Sequence, residues 1–286
     1  MPDATTLAVL QDVVCICVLA ALIGAGVYTA LRSVVPVALL KNQGRRTAQG
    51  TNEWLDVPMA FLIVALMAGS LFTTKGLEKS VVGETAKAVS DLTHLQNVAE
   101  AVMWTLALVA LLIGYLRAVR ECDPAEVFGL RRLTVKKALI KALIWIVPAV
   151  VVVMAVAVLS DRWLEGLLPD NDKQAAVKLL EDTKSPLVKM AMTFMAVIVA
   201  PLAEEIMFRG FIFGVLRRYT DTVFAGLISA LLFAAVHVHL GSFLPLFVLG
   251  LFFVMAYEAT GCLLVSMFMH ALFNAGQIVM MQFDKS

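Results

Sequence analysis

The sequence has little charge, and several common functional signatures are missing from it. Charged residues fill 16% of its 286 positions, whereas a soluble globular domain has about a quarter. A net charge of +1 gives no basic excess of the kind that nucleic-acid binding uses. The four cysteines, Cys15, Cys17, Cys122 and Cys262, form no CxxC pair, which argues against a zinc ribbon or a disulfide framework.

Long apolar runs are what the sequence has in excess. Hydrophobic residues make up 60% of the chain and fall in runs of about 20 residues, the length of helix that crosses a bilayer. Because each backbone polar group in lipid must be satisfied within its own segment, these runs are helices rather than strands. The sequence therefore predicts an all-α, polytopic transmembrane helical bundle. The first run lacks a basic n-region and an A-x-A cleavage site, so we expect a retained span.

Hydropathy predicts about eight spans. In chain order they cover residues 7–31, 57–74, 98–116, 138–159, 187–216, 222–238, 243–257 and 262–281. Lysine and arginine are frequent in the loops after the first, third and fifth spans, which predicts a cytoplasmic position for these loops. We expect a single membrane domain, 1–286, in which 1–186 is scaffold and 187–286 is the catalytic core. Residues 173–180 are predicted to form a short amphipathic helix on the outer surface.

Three ionisable residues lie inside the fifth span, where each charge costs several kcal/mol and needs a reason. Glu205 and Arg209 are four residues apart, so they share a helix face and can pair. Glu204 has no cation four residues on, because that position is Phe208. Its carboxylate is left for a partner on another helix and is available for proton transfer. The competing interpretation is that the three charges form an inert buried network.

The sixth and eighth spans each carry a spaced pair. Phe233 and His237 share a face of the sixth, and His270 and Asn274 share a face of the eighth. An imidazole and an amide one turn apart can donate two hydrogen bonds to one oxygen, although such a pair can also simply join two spans. His237 taken alone is more typical of a hydrogen-bonded packing residue. We expect His239 at the membrane interface, outside any site.

Counting from the predicted turns places these groups at one depth. Glu204 and His237 each lie about 23–26 Å from the turn between the fifth and sixth spans, at 1.5 Å per residue. His270 and Asn274 lie about 14–20 Å from the turn near Gly261. The sequence therefore predicts one polar layer inside the membrane, and hence one site.

Three motifs in this order on successive hydrophobic helices resemble the CPBP intramembrane protease family. This family contains CAAX prenyl endopeptidases and bacteriocin-processing enzymes, and it is also called the Abi family. Pro201, ahead of the glutamates, and Gly210, after the arginine, fit the resemblance too. The resemblance covers about residues 187–286 and does not carry substrate specificity, because residues 1–186 show no matching motif. The motifs EExxxR, FxxxH and HxxxN are matched by Glu204-Glu205-x-x-x-Arg209, Phe233-x-x-x-His237 and His270-x-x-x-Asn274.

The resemblance implies hydrolysis of a peptide bond by an activated water molecule. Glu204 and His237 would activate the water, while His270 and Asn274 would donate to the developing oxyanion. No serine or cysteine lies suitably close to a base, which disfavours a covalent intermediate. The residues implied to support this site are Glu205, Arg209 and Phe233.

A metal is the open question at this site. Three ligands with a free fourth position would suit a catalytic zinc ion. However, HExxH is absent, the two histidines lie on different helices, and water activated by a glutamate needs no metal, so the sequence requires no cofactor. The candidate metal ligands are Glu204, His237 and His270.

Two other classes of function stay open on the sequence alone. Buried glutamate and histidine chains also serve proton relays, which favours a proton- or ion-coupled transporter, but no inverted repeat is visible. A non-catalytic immunity or adaptor protein would keep the same fold. For the peptidase, we expect membrane lipid and a membrane-bound or lipidated peptide as partners, no nucleic acid, and a prokaryotic cytoplasmic membrane as the location.

Overall fold

The chain is an integral membrane protein built from helices. A computed structural model describes residues 52–67, 91–164 and 175–283, and within these ranges it contains no strand. Five helices there are long and apolar enough to cross a membrane. This confirms the all-α, polytopic prediction. The first predicted span lies outside the described residues, and the second lies within them only in part.

The helices follow the predicted spans closely. In chain order they are α1 (56–67), α2 (Asp91–Ala118), α3 (Val135–Leu164), α4 (Ala175–Asp182), α5 (Pro186–Tyr219), α6 (Thr222–Ala235), α7 (Leu240–Thr260) and α8 (Leu263–Phe283). The predicted amphipathic segment 173–180 overlaps α4. The predicted sixth span ran to residue 238, but α6 ends at Ala235 because the chain turns there. With 14 residues, α6 is about 21 Å long and stops short of crossing the hydrocarbon core.

The centre of the bundle lies between α3 and the last four helices. α7 packs against α6 and α3, while α8 packs against α3 and the middle of α5, and α2 lies along α5. Phe208, Phe233 and Phe253 are fully buried in one cluster. On the outside, Ile144 and Val151 of α3 are each 65% exposed. Such exposed apolar surface suits contact with lipid tails.

The loop before α3, which contains one short helical turn (Pro124–Val127), contacts the middle of α5 and the start of α8. Asp123 accepts a hydrogen bond from the Ala125 N–H at 3.0 Å, and this bond lowers the pKa of Asp123. The loop delivers Phe128 against Gly210, where an added Cβ would lie 2.8 Å from the Phe128 ring. The Phe128 carbonyl also accepts from the Leu263 N–H at 3.1 Å. Gly210 is therefore needed for a close approach between the loop and α5.

A buried carboxylate joins α1, α2 and α5 at the end of the bundle where α5 finishes. Asp56 is 2% exposed and accepts from the Tyr115 hydroxyl at 2.6 Å and from Arg218 Nη1 at 2.6 Å. Arg120 Nε lies 2.9 Å from the same carboxylate. Glu53 stands at the edge of the cluster, 3.6 Å from Arg120. The orientation prediction counted both arginines as loop charges, whereas the structure places them in ion pairs.

The Asp56→Ala substitution tests this cluster. It removes the acceptor that Tyr115 and Arg218 share and leaves the buried Arg120 charge without its nearest carboxylate, so we expect the unfolding free energy to fall by about 3–5 kcal/mol. Thermal denaturation in detergent measures the loss. Glu53→Ala is the matched control, because its side chain is 42% exposed and a pair of this kind contributes little. Equal losses in the two variants would contradict a central role for Asp56.

Candidate active site

Helix α5 changes its winding twice around the two glutamates. Met195–Val199 and Ile206–Ile212 are π-helical, and between them Ala200–Glu205 is α-helical. π-turns within α-helices occur frequently at functional sites, because they rotate the side chains that follow. The glutamate pair therefore lies on a short α-helical segment held between two irregular ones.

The structure contains the Glu205–Arg209 ion pair that the spacing predicts. Arg209 Nη1 donates to Glu205 Oε1 at 2.8 Å, and neither side chain is exposed. Arg209 Nη2 donates to the Gly250 carbonyl at 3.2 Å. The guanidinium carbon lies 4.3 Å from the Phe233 ring centroid and 5.0 Å from that of Phe253. A carboxylate, a carbonyl and two rings thus compensate the buried charge.

His270 lies between the two carboxylates. Its Nδ1 is 3.2 Å from Glu205 Oε1, and its Nε2 is 3.9 Å from Glu204 Oε2. Because a carboxylate accepts, Nδ1 carries the hydrogen of the first contact, and this directs Nε2 towards Glu204. Phe253 stacks on the imidazole at 4.9 Å and 28°. Sequence reasoning missed both Phe253 and the contact with Glu205, since it paired Glu205 with Arg209 alone.

Phe233 brings His237 to the same cluster. The Phe233 ring meets His237 edge-on at 5.0 Å and His270 edge-on at 5.6 Å. The Phe233 carbonyl also lies 2.7 Å from His237 Nδ1, which must therefore donate. In the neutral ring this leaves the lone pair on Nε2, the atom that a base or a ligand uses. The FxxxH spacing thus allows both the ring and the carbonyl of Phe233 to contact His237.

Glu204 is the accessible carboxylate of the pair. Its side chain is 20% exposed, whereas that of Glu205 is fully buried and that of His270 is 4% exposed. Among the described residues, Glu204 Oε2 has no hydrogen-bond partner. Glu204 Oε2 itself is buried and faces His270, while the Glu204 side chain as a whole is partly exposed.

Asn274 and His239 each bond to backbone. Asn274 Nδ2 donates to the Ala196 carbonyl at 2.8 Å, so one of its two amide hydrogens is engaged on α5. His239 begins α7, and its Nδ1 accepts from the Ser242 N–H at 3.1 Å. The structure therefore joins His239 to the first turn of α7 as a helix cap.

The candidate metal ligands do not form a ready metal site in this geometry. Within the described ranges, no three His, Cys, Asp or Glu side chains come close enough together to hold a metal ion. Glu204, His237 and His270 fall within those ranges.

These helices and side chains define a polytopic membrane protein with an acid–histidine site inside its last helices. Residues 186–276 match the model of the type II CAAX prenyl endopeptidase Rce1-like family, and the matched segment contains all three motifs. The "Putative membrane peptidase YdiL" of Bacillus subtilis (strain 168) is 38% identical over 89 residues. The aligned part is 31% of this chain and 36% of that protein. No solved structure matches the chain significantly.

The comparisons confirm the family resemblance for the last third of the chain. The segment 186–276 is similar to the type II CAAX prenyl endopeptidase Rce1-like family. The segment begins with α5 and ends within α8.

The Glu205–Arg209 pair is tested by a double-mutant cycle. Glu205→Gln and Arg209→Gln should each lower the unfolding free energy by about 3–5 kcal/mol, because each removes the ion-pair partner of a buried charge. The double variant should recover part of the loss. Detergent melting temperatures measure the cycle, with Arg131→Gln as the control, since the Arg131 side chain is 74% exposed. Strictly additive losses would show that the two charges do not stabilise each other.

Proposed function

We propose that the chain is an intramembrane endopeptidase that cleaves a membrane-associated or lipidated substrate, as a CAAX protease does. The observation that carries this proposal is the partly exposed Glu204 side chain, whose Oε2 lies 3.9 Å from His270 Nε2, within a segment that matches the CAAX endopeptidase family. The relative from Bacillus subtilis supports a membrane peptidase and a prokaryotic cytoplasmic membrane as its location.

Glu204 and His237 are the groups proposed to activate water. The Glu204 carboxylate takes one proton from the water molecule, while the Nε2 lone pair of His237 accepts a hydrogen bond from the O–H that remains on the water oxygen. The water oxygen then attacks the peptide carbonyl carbon. When the carbon–nitrogen bond breaks, Glu204 returns the proton to the leaving amine. No covalent enzyme intermediate forms, and the carboxylate is regenerated.

His270 is proposed to stabilise the oxyanion. Its Nδ1–H donates to Glu205, and its Nε2 is directed towards Glu204. A hydrogen carried by Nε2 would donate to the oxygen that becomes negative in the transition state. The family resemblance adds Asn274 as a second donor, and its remaining amide hydrogen is the one concerned.

Phe233, Glu205 and Arg209 support this chemistry without touching the substrate. Glu205 fixes the tautomer of His270, and Arg209 holds Glu205 in place through its 2.8 Å bond. Phe233 places both imidazoles by ring contact. Positioning of this kind matters because displacements of about 1 Å can cost about 100-fold in rate.

The Glu204→Gln substitution tests the proposed function. Loss of the base should lower cleavage by more than the roughly 100- to 1,000-fold that removal of one oxyanion donor costs. The melting temperature should stay near the wild-type value, because Glu204 is partly exposed. Comparison of membrane proteomes from cells with the wild type and the variant measures cleavage of the natural substrates.

The matched control is His239→Asn, which replaces the other histidine of the turn by a residue that also caps helices well. It should leave cleavage near the wild-type level. Accumulation of the same uncut proteins in wild-type and Glu204→Gln membranes alike would contradict a peptidase.

A further inference from the structure

One backbone carbonyl of α5 has lost both donors that its helix could offer. In an α-helix the Ala196 carbonyl would accept from the N–H four residues on, which is that of Ala200. Here the Ala200 N–H donates to the Met195 carbonyl instead, five residues back, as the π winding requires. The next donor in that pattern would be residue 201, which is proline and has no N–H. Within α5, the Ala196 carbonyl is therefore left without a donor.

Asn274 of α8 supplies the missing donor. Its Nδ2 lies 2.8 Å from the Ala196 oxygen. An unpaired carbonyl at membrane depth is unfavourable because no bulk water can satisfy it. The bond therefore has a cause in the sequence, since Pro201 removes a hydrogen-bond donor and Asn274 replaces it.

The same face of α8 carries His270, one helical turn before Asn274. His270 bonds to Glu205 at 3.2 Å, and Asn274 bonds to the Ala196 carbonyl. Two contacts at different heights fix both the rotation and the sliding of α8 against α5, whereas one contact would leave rotation free. Glu204, which faces His270, lies on the stretch of α5 between those two contacts.

We propose that Asn274 is a positioning residue, whose amide replaces the N–H that Pro201 lacks and so holds His270 at its place beside Glu204. Its effect on catalysis rests on the proposed peptidase function, whereas the hydrogen bond itself does not. A residue whose main role was direct donation to the oxyanion would be insensitive to the presence of a proline at position 201. The two roles therefore predict different couplings between positions 274 and 201.

The Pro201→Ala substitution provides the discriminating background. It gives residue 201 an N–H. In the π-helical pattern, in which the Ala200 N–H donates to the Met195 carbonyl, the N–H of residue 201 would donate to the Ala196 carbonyl. In this background the Asn274 amide is no longer needed by that carbonyl. Pro186→Ala is the matched control, because Pro186 stands in the first turn of α5, where a helix needs no N–H donor.

The experiment compares the Asn274→Ala variant in three backgrounds: wild type, Pro201→Ala and Pro186→Ala. Cleavage is measured in proteoliposomes with a substrate found by the proteome comparison. We expect Asn274→Ala to lower cleavage by about 100-fold in the wild-type and Pro186→Ala backgrounds, the cost of a displacement of about 1 Å. In the Pro201→Ala background the loss should be at least about ten-fold smaller. An equal loss in all three backgrounds overturns the proposal.

Melting temperatures of the same variants in detergent test the hydrogen bond independently of activity. Asn274→Ala should lower the melting temperature by about 5 °C in the wild-type background and by clearly less in the Pro201→Ala background. An equal drop in both backgrounds overturns the proposal even if cleavage is never detected. A smaller drop beside Pro201→Ala, together with no cleavage by any variant, would support the bond and reject the peptidase.

Discussion

The bundle depends on the burial of one charge, the guanidinium of Arg209. This side chain has no exposure, and an uncompensated charge inside a membrane costs several kcal/mol. Its compensation comes from three helices, through Glu205 of α5, the ring of Phe233 in α6, and Gly250 and Phe253 in α7. Because each contact has a required distance, the charge fixes how α6 and α7 sit against α5. The candidate active site depends on the same arrangement, because the Glu205 carboxylate that pairs with Arg209 also orients His270.

Much of the fold could be predicted because lipid allows few alternatives. The predicted fifth span, 187–216, is observed as Pro186–Tyr219, and the predicted eighth, 262–281, as Leu263–Phe283. The pairing of Glu205 with Arg209 also followed from sequence, since residues four apart meet on one helix face. The end of α6 was predicted wrongly at residue 238, because the turn after Ala235 includes Val236 and Val238, which hydropathy cannot tell from helix. Hydropathy thus indicates which residues are apolar enough for lipid, but it does not indicate where a helix ends.

The contacts between helices could not be predicted in the same way. Spacing within one helix carries no information on how a neighbouring helix is rotated, so the bond from His270 to Glu205 was missed. The π windings of α5 add a further rotation that no pattern of apolar residues records. Pro201 was an available signal for the Asn274 contact, because a proline inside a helix lacks an N–H and so removes a donor from one carbonyl of that helix. Asp56 was missed for a related reason, since its arginine partners come from distant parts of the chain.

The charge pattern of α5 bears on how the chain enters the membrane during synthesis. An 18-residue stretch of α5 has a mean hydropathy of 1.8, against 2.9 for the corresponding stretch of α3, and α5 also carries Glu204. Both partners of the Glu205–Arg209 ion pair lie within α5. The neighbour of Glu204, however, is His270 on α8, which the ribosome produces later. Until α8 arrives, that carboxylate faces either hydrocarbon or the insertion machinery. The contact between Glu204 and His270 can therefore form only after α8 has been synthesised, later than α5 itself.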